Sequence, residues 1–171
     1  MRGNKFMMNF MEKSALWICK ILACFAGITL SLMIALACVN MISRAVYVPV
    51  KGTFELMGFF GAVTAAFSLG YSQLNRSHIA VGLLFNRFPK PIQIFLEALS
   101  GAASCLFFAF CAVETVKWGL FLYDLGEVSE TLGIQFYPFV FAVALGCGAM
   151  AFVLLLDIVR TLTGKEPIKT A

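Results

Sequence analysis

Three stretches of this 171-residue chain carry no Asp, Glu, Lys or Arg: 23 residues between Lys20 and Arg44, 20 between Glu55 and Arg76, and 26 between Glu130 and Asp157. A helix climbs about 1.5 Å per residue, so roughly 20 residues match a hydrocarbon core of about 30 Å. Each stretch is therefore long enough to cross a bilayer. The run from Ala98 to Val113 is shorter, with 16 residues between Glu97 and Glu114. Begun at Pro91, which suits the first turn of a helix, and carried to about Phe121, it reaches across as well. A content of 61% apolar and 13% charged residues is the balance of a chain solvated by lipid rather than water.

These runs predict a single-domain, all-α integral membrane protein with four transmembrane helices, at about 15–43, 54–75, 91–121 and 131–160. The first run also contains Ala35-Leu36-Ala37, a small-x-small pattern like a signal-peptidase site. It is read as a retained helix, because the run exceeds the ~7–15 residues of a signal core and Glu12 sits in the leader.

Ten of the 13 Lys and Arg residues fall on one side of such a topology: Arg2, Lys5, Lys13 and Lys20 before the first span, Arg76, Arg87 and Lys90 in the second connection, and Arg160, Lys165 and Lys169 at the end. The first and third connections, with the adjoining helix ends, contribute only Arg44, Lys51 and Lys117. The positive-inside rule then places both termini in the cytoplasm. The second connection, "NRSHIAVGLLFNRFPKP", is too apolar for a free loop and too short to span. It predicts a short interfacial cytoplasmic segment at about 78–88, with Arg76 and Arg87 toward lipid headgroups and Pro89 ending it.

The same positive charge does not point to nucleic acid, since the cations sit at the ends of apolar runs and make no aromatic-interleaved basic face. His78 is the sole histidine, so the two axial ligands of a membrane b-type haem are not available. It is read as part of the connector rather than a proton relay. The six cysteines form no C-x-x-C and are read as small packing residues, with no metal or cofactor expected. No motif for nucleophilic catalysis or phosphate binding is present, so no enzymatic activity is expected.

Arg44 and Glu55 gather at the outer end of the first two spans and can pair with one another or with a partner. Thr53, after Pro49 and Gly52, is placed to cap the second helix, and the helix dipole favours Glu55 in its first turn. Glu114 with Lys117, and Asp157 with Arg160, lie three apart and can pair on one helical face. Glu114 is also the one carboxylate suited to proton coupling if the chain were an autonomous four-helix transporter or channel. Small residues four apart, Gly61 and Ala65, Ser100 and Ser104, Ala142 and Gly146, allow close helix approach.

Three stretches, "NMISRAVYVPVKGTFEL" (40–56), "GYSQLNRSHIAVGLL" (70–84) and "EVSETLGIQFYPFVFAVALG" (127–146), together resemble the small membrane subunit of tripartite ATP-independent periplasmic (TRAP) transporters. The resemblance rests on Arg44 ending the first helix, Glu55 opening the second, Arg76, His78 and Ile79 following it, and Ser129, Pro138 and Gly146 leading into the fourth. Gly82, where the family often has an acidic residue, and Phe54, a partial match to an aromatic before the Glu region, depart from the pattern.

The resemblance implies a small scaffold subunit in the bacterial or archaeal cytoplasmic membrane. Its partners would be a large membrane subunit that binds substrate and sodium, a periplasmic substrate-binding protein that delivers an organic acid, and membrane lipid. Arg44, Glu55, Arg76, His78 and Arg87 would serve structure and partner docking, with no catalytic, substrate-binding or metal-binding residue in this chain.

Overall fold

The computed structural model describes residues 2–46, 48, 50–74 and 90–162. They form four helices: α1 Arg2–Val46, α2 Thr53–Leu74, α3 Lys90–Leu125 and α4 Tyr137–Leu162. Each contains a segment long and apolar enough to cross a membrane, Lys13–Val46, Thr53–Leu74, Leu99–Leu125 and Tyr137–Arg160. The chain is thus an all-α membrane protein with four spans, as the uncharged runs predict. Arg76, His78, Arg87 and the segment at about 78–88 lie outside the described residues.

Two helices run past the ends their charge patterns predict. α1 begins at Arg2 rather than near residue 15, and α3 begins at Lys90 and continues to Leu125. Lys, Arg and Glu are good helix formers, so a charged residue marks where lipid stops without stopping the helix. α4 differs in the opposite sense: it starts at Tyr137, because residues 127–136 are spent on a hairpin. Pro138 falls in its first turn, where a missing N–H costs no internal hydrogen bond.

The helices pack in the order α1, α2, α4, α3. α4 contacts α3 most extensively and α2 on its other side, while α1 leans on α2 and touches α4 lightly. α2 and α3 therefore flank α4 and leave a groove between them.

Lipid tails are as apolar as leucine, so close packing and hydrogen bonds, rather than expulsion from water, must hold the helices together. Gly146 on α4 sits directly against the backbone of α2: a Cβ there would lie 2.6 Å from the Ala66 carbonyl oxygen. A Cβ on Gly70 would come 3.0 Å from Cys19 Sγ of α1, and one on Gly119 would lie 2.9 Å from the Phe141 ring. Of the small-residue stripes, Gly146 thus serves the contact inside the chain, and Gly61 faces Met33 more loosely at 3.8 Å. Between α1 and α2 the Thr29 and Thr64 hydroxyls meet at 2.8 Å. Thr29 also contacts the Ala26 carbonyl at 3.0 Å, so one pair satisfies two hydroxyls within the span. At the opposite end from the hairpin, Ala15, Cys19, Leu74, Val153 and Leu156 close a buried cluster that joins α1, α2 and α4.

Gly146→Ala should destabilise the fold by about 1–3 kcal/mol, the usual cost of overpacking where backbone is the obstacle. Gly148→Ala, on the same helix with nothing within 4 Å, should be close to neutral. Thermal unfolding of the two variants in detergent micelles checks the difference.

Candidate functional site

Both connections at one end of the molecule are built from backbone outward, and a single side chain ties them together. In the α1–α2 connection, the Val50 N–H donates to Asn40 Oδ1 at 3.0 Å and Ser43 Oγ to the Val48 carbonyl at 2.6 Å. Gly52 takes a left-handed conformation, φ 75°, and its carbonyl accepts from the Leu56 N–H at 3.1 Å to start α2. Thr53 is buried and does not play the expected capping part. Its hydroxyl donates back to the Val50 carbonyl at 2.7 Å, tightening the turn before the helix.

The α3–α4 connection opens with a Schellman end. Gly126, at φ 64°, donates to the Tyr123 carbonyl at 3.2 Å, and the Glu127 N–H donates to that of Leu122 at 3.3 Å, satisfying carbonyls that the last turn would leave open. Val128 and Gln135 then pair as an isolated antiparallel bridge. Ser129 N–H donates to the Ile134 carbonyl at 2.8 Å, and the Gly133 N–H, in a residue at φ 65°, donates to that of Ser129 at 3.0 Å. The result is a small hairpin with residues 130–133 at its tip.

Glu55, on the first turn of α2, grips that tip. Its Oε2 accepts from the Ser129 hydroxyl, and its Oε1 accepts from Thr131 Oγ1 at 2.6 Å and Thr131 N–H at 3.2 Å. Ser129 Oγ also accepts from the Leu132 N–H at 3.3 Å. Ser129 is only 2% exposed, so its hydroxyl depends on these partners. On the other side of the joint Leu132 closes over Gly52, where a Cβ would come 2.4 Å from Leu132 Cγ. One turn deeper, Phe59 stacks on Phe139 with centroids 4.3 Å apart and meets Phe136 edge-on at 5.3 Å. A glycine hole, a carboxylate and an aromatic stack thus latch α2 to the start of α4.

Arg44 is exposed near the end of α1, and the carboxylate of Glu55 is taken up by Ser129 and Thr131 instead of by Arg44. Glu114 and Lys117 do pair, at 2.8 Å, and both are exposed. Asp157 and Arg160 each engage a partner. Glu114 also lines the groove between α2 and α3, a cavity of about 350 Å³ whose other walls include Phe59, Ala62, Trp118, Phe139 and Val143. Among the described residues no group of three His, Cys, Asp or Glu side chains could hold a metal ion, and the six cysteines are unpaired. Thr131, Leu132 and Gly52 are latch residues that the pattern of charges does not reveal. The turn-rich composition of "EVSETLG" was the available signal, because Ser, Thr and Gly favour hairpin tips over helix interiors.

The family profile described as "Tripartite ATP-independent periplasmic transporters, DctQ component" matches residues 33–164, which take in the whole latch and the groove. The chain belongs to this family. It is the small membrane component of a TRAP transporter, and the DctQ family is a transporter family rather than an enzyme family. No curated protein and no solved structure matches the chain. The resemblance carried by Glu55, Ser129 and Pro138 now has a physical content in this DctQ-family chain. Glu55 and Ser129 are the two halves of one joint, and Pro138 begins the helix that the joint positions.

Glu55→Ala should release the hairpin and raise amide hydrogen exchange at Thr131 and Leu132 by at least about tenfold, as expected when a charged acceptor is lost. Glu55→Gln should be milder, because the Ser129 hydroxyl can turn over and accept from the amide. Gly52→Ala should act on the same amides from the other side, adding about 1–2 kcal/mol of left-handed backbone cost to the clash with Leu132. Hydrogen-exchange mass spectrometry in micelles reads all three.

Proposed function

We propose that this chain is the scaffold subunit that braces the large membrane subunit of a TRAP-type secondary transporter in the bacterial or archaeal cytoplasmic membrane. In this reading both termini are cytoplasmic and the latch faces the periplasm. An organic acid delivered by a periplasmic substrate-binding protein passes through the large subunit, which also binds the sodium whose gradient drives uptake. This chain binds no cofactor and touches no cargo.

The observation that carries the reading is the packing itself. The central pair α2 and α4 is pinned at the latch, at the Ala66–Gly146 crossing and at the cluster around Cys19 and Val153. Moving one element against another in alternating access requires a part that does not yield. A pair tied at three heights suits that task. Glu55 serves it by holding the hairpin, and Arg44, which is exposed, is assigned to docking the partner. Arg76, His78 and Arg87 are assigned to anchoring the cytoplasmic connection at the lipid surface.

A second reading, an autonomous four-helix transporter or channel coupled through Glu114, draws on the position of that carboxylate in the groove. The two are separated by one set of measurements. Purified from native membranes, the chain should bring down a much larger polytopic subunit, and deleting either should abolish organic-acid uptake. Liposomes holding this chain alone should show no flux. Flux from the chain alone that disappears in Glu114→Gln would replace the scaffold reading with the second one.

A further inference from the structure

The ion pair between Glu114 and Lys117 falls inside the apolar span Leu99–Leu125, where an exposed charge is costly. The Tyr123 and Tyr137 rings meet at 5.2 Å at the ends of the apolar spans Leu99–Leu125 and Tyr137–Arg160, the position that amphipathic rings favour at a membrane surface. Glu114 is nine positions before Tyr123 on the same helix, about 13 Å deeper at ~1.5 Å per residue, and so well inside a hydrocarbon half-thickness of about 15 Å. Lys117 does not reach for the surface. Its Nζ folds back to Glu114 Oε1 at 2.8 Å, and the two side chains are 65% and 47% exposed. Charged side chains in a span almost always face protein or water, and here this chain covers neither of them.

Beside this pair is the groove that α2 and α3 leave over α4. Its walls are apolar apart from Glu114 and Thr115, which makes it a poor water path. At about 350 Å³ it cannot hold a whole helix, which is about 10–12 Å across with side chains, but it can receive one or two large side chains from a helix laid over its mouth. We propose that the α2–α3 groove, with Glu114 and Lys117 on its α3 wall, is the face that docks a transmembrane helix of the large subunit. That helix inserts an apolar side chain between Phe59, Ala62 and Val143, and places a hydrogen-bond donor or acceptor against the ion pair. This deepens the scaffold reading and rests on it, since it names the face by which the brace is joined to its load.

The test uses the assembled complex in native membranes, with a photoreactive benzoylphenylalanine in place of Trp118 at the groove or Phe25 on the exposed face of α1. The Trp118 position should crosslink the large subunit, and the Phe25 position should give no such product. In a separate variant, Ala62→Trp fills the groove and should lower the amount of copurified large subunit by at least about tenfold, the scale of a lost interface anchor. The variant should still accumulate, with unchanged exchange protection at Thr131 and Leu132, so that loss of docking is not loss of fold. Crosslinking from Trp118 to phospholipid alone, or crosslinking to the large subunit from Phe25 alone, overturns the proposal while leaving the scaffold reading in place. If the wild-type chain copurifies with no large subunit, the scaffold reading fails and takes this inference with it.

Discussion

A carboxylate on the first turn of α2 and a serine hydroxyl in the α3–α4 connection hold each other at one end of the molecule, and the helix order follows from where that contact is made. Irregular backbone at the edge of a bilayer must find partners within the protein, because lipid offers none. The hairpin at 127–136 meets that demand in two ways. Its own N–H and C=O groups pair across Ser129–Ile134 and Ser129–Gly133, and the N–H of Thr131 at its tip goes to Glu55. Without Glu55 the hairpin could still form, but nothing polar would set it over α2. With Glu55 in place the start of α4 is delivered to Phe59, and α2 and α4 become neighbours although α3 lies between them in the chain.

The spans were legible in the sequence because hydrocarbon excludes charge, so long runs without Asp, Glu, Lys or Arg report on lipid directly. The helix ends were less so, since that signal is silent on backbone. The run from Thr131 to Leu156 is free of charge throughout, yet its first residues form a hairpin, and only Gly133 and Pro138 hint at where helix begins. α1 extends back to Arg2 for the complementary reason, as a charged residue leaves the bilayer without leaving the helix.

The latch was half visible. Glu55 stands out as an acid at the start of a span, and Arg44 across the hairpin offers the obvious local partner. The actual partners are Ser129 and Thr131, more than seventy residues on, and local spacing cannot rank a hydroxyl at that distance against a nearby guanidinium. Once fold brings them close, geometry decides: two hydroxyls and an amide converge on the carboxylate, whereas Arg44 stays exposed near the end of α1. Gly52 tells the same story from the other side. Its place in a turn is readable, but the need for an empty position under Leu132 belongs to a contact with another connection.

The packing divides the four helices by duty. α2 and α4 are joined by hydrogen bonds and aromatic stacking at one end, by backbone against backbone at Gly146 in the middle, and by apolar burial with α1 at the other end. These three kinds of contact respond differently to a load, so shear that loosens a packed side chain still meets a directional hydrogen bond and a backbone that cannot be compressed. α1 and α3 are each fastened chiefly to one member of this pair, on opposite edges, and both keep large apolar residues such as Phe25, Leu32, Phe107 and Phe110 exposed. A brace needs a stiff centre and adhesive edges. Of the two edges, α3 adds, among the described residues, a charge pair that lipid would reject, so the edges are physically unequal even though both are apolar.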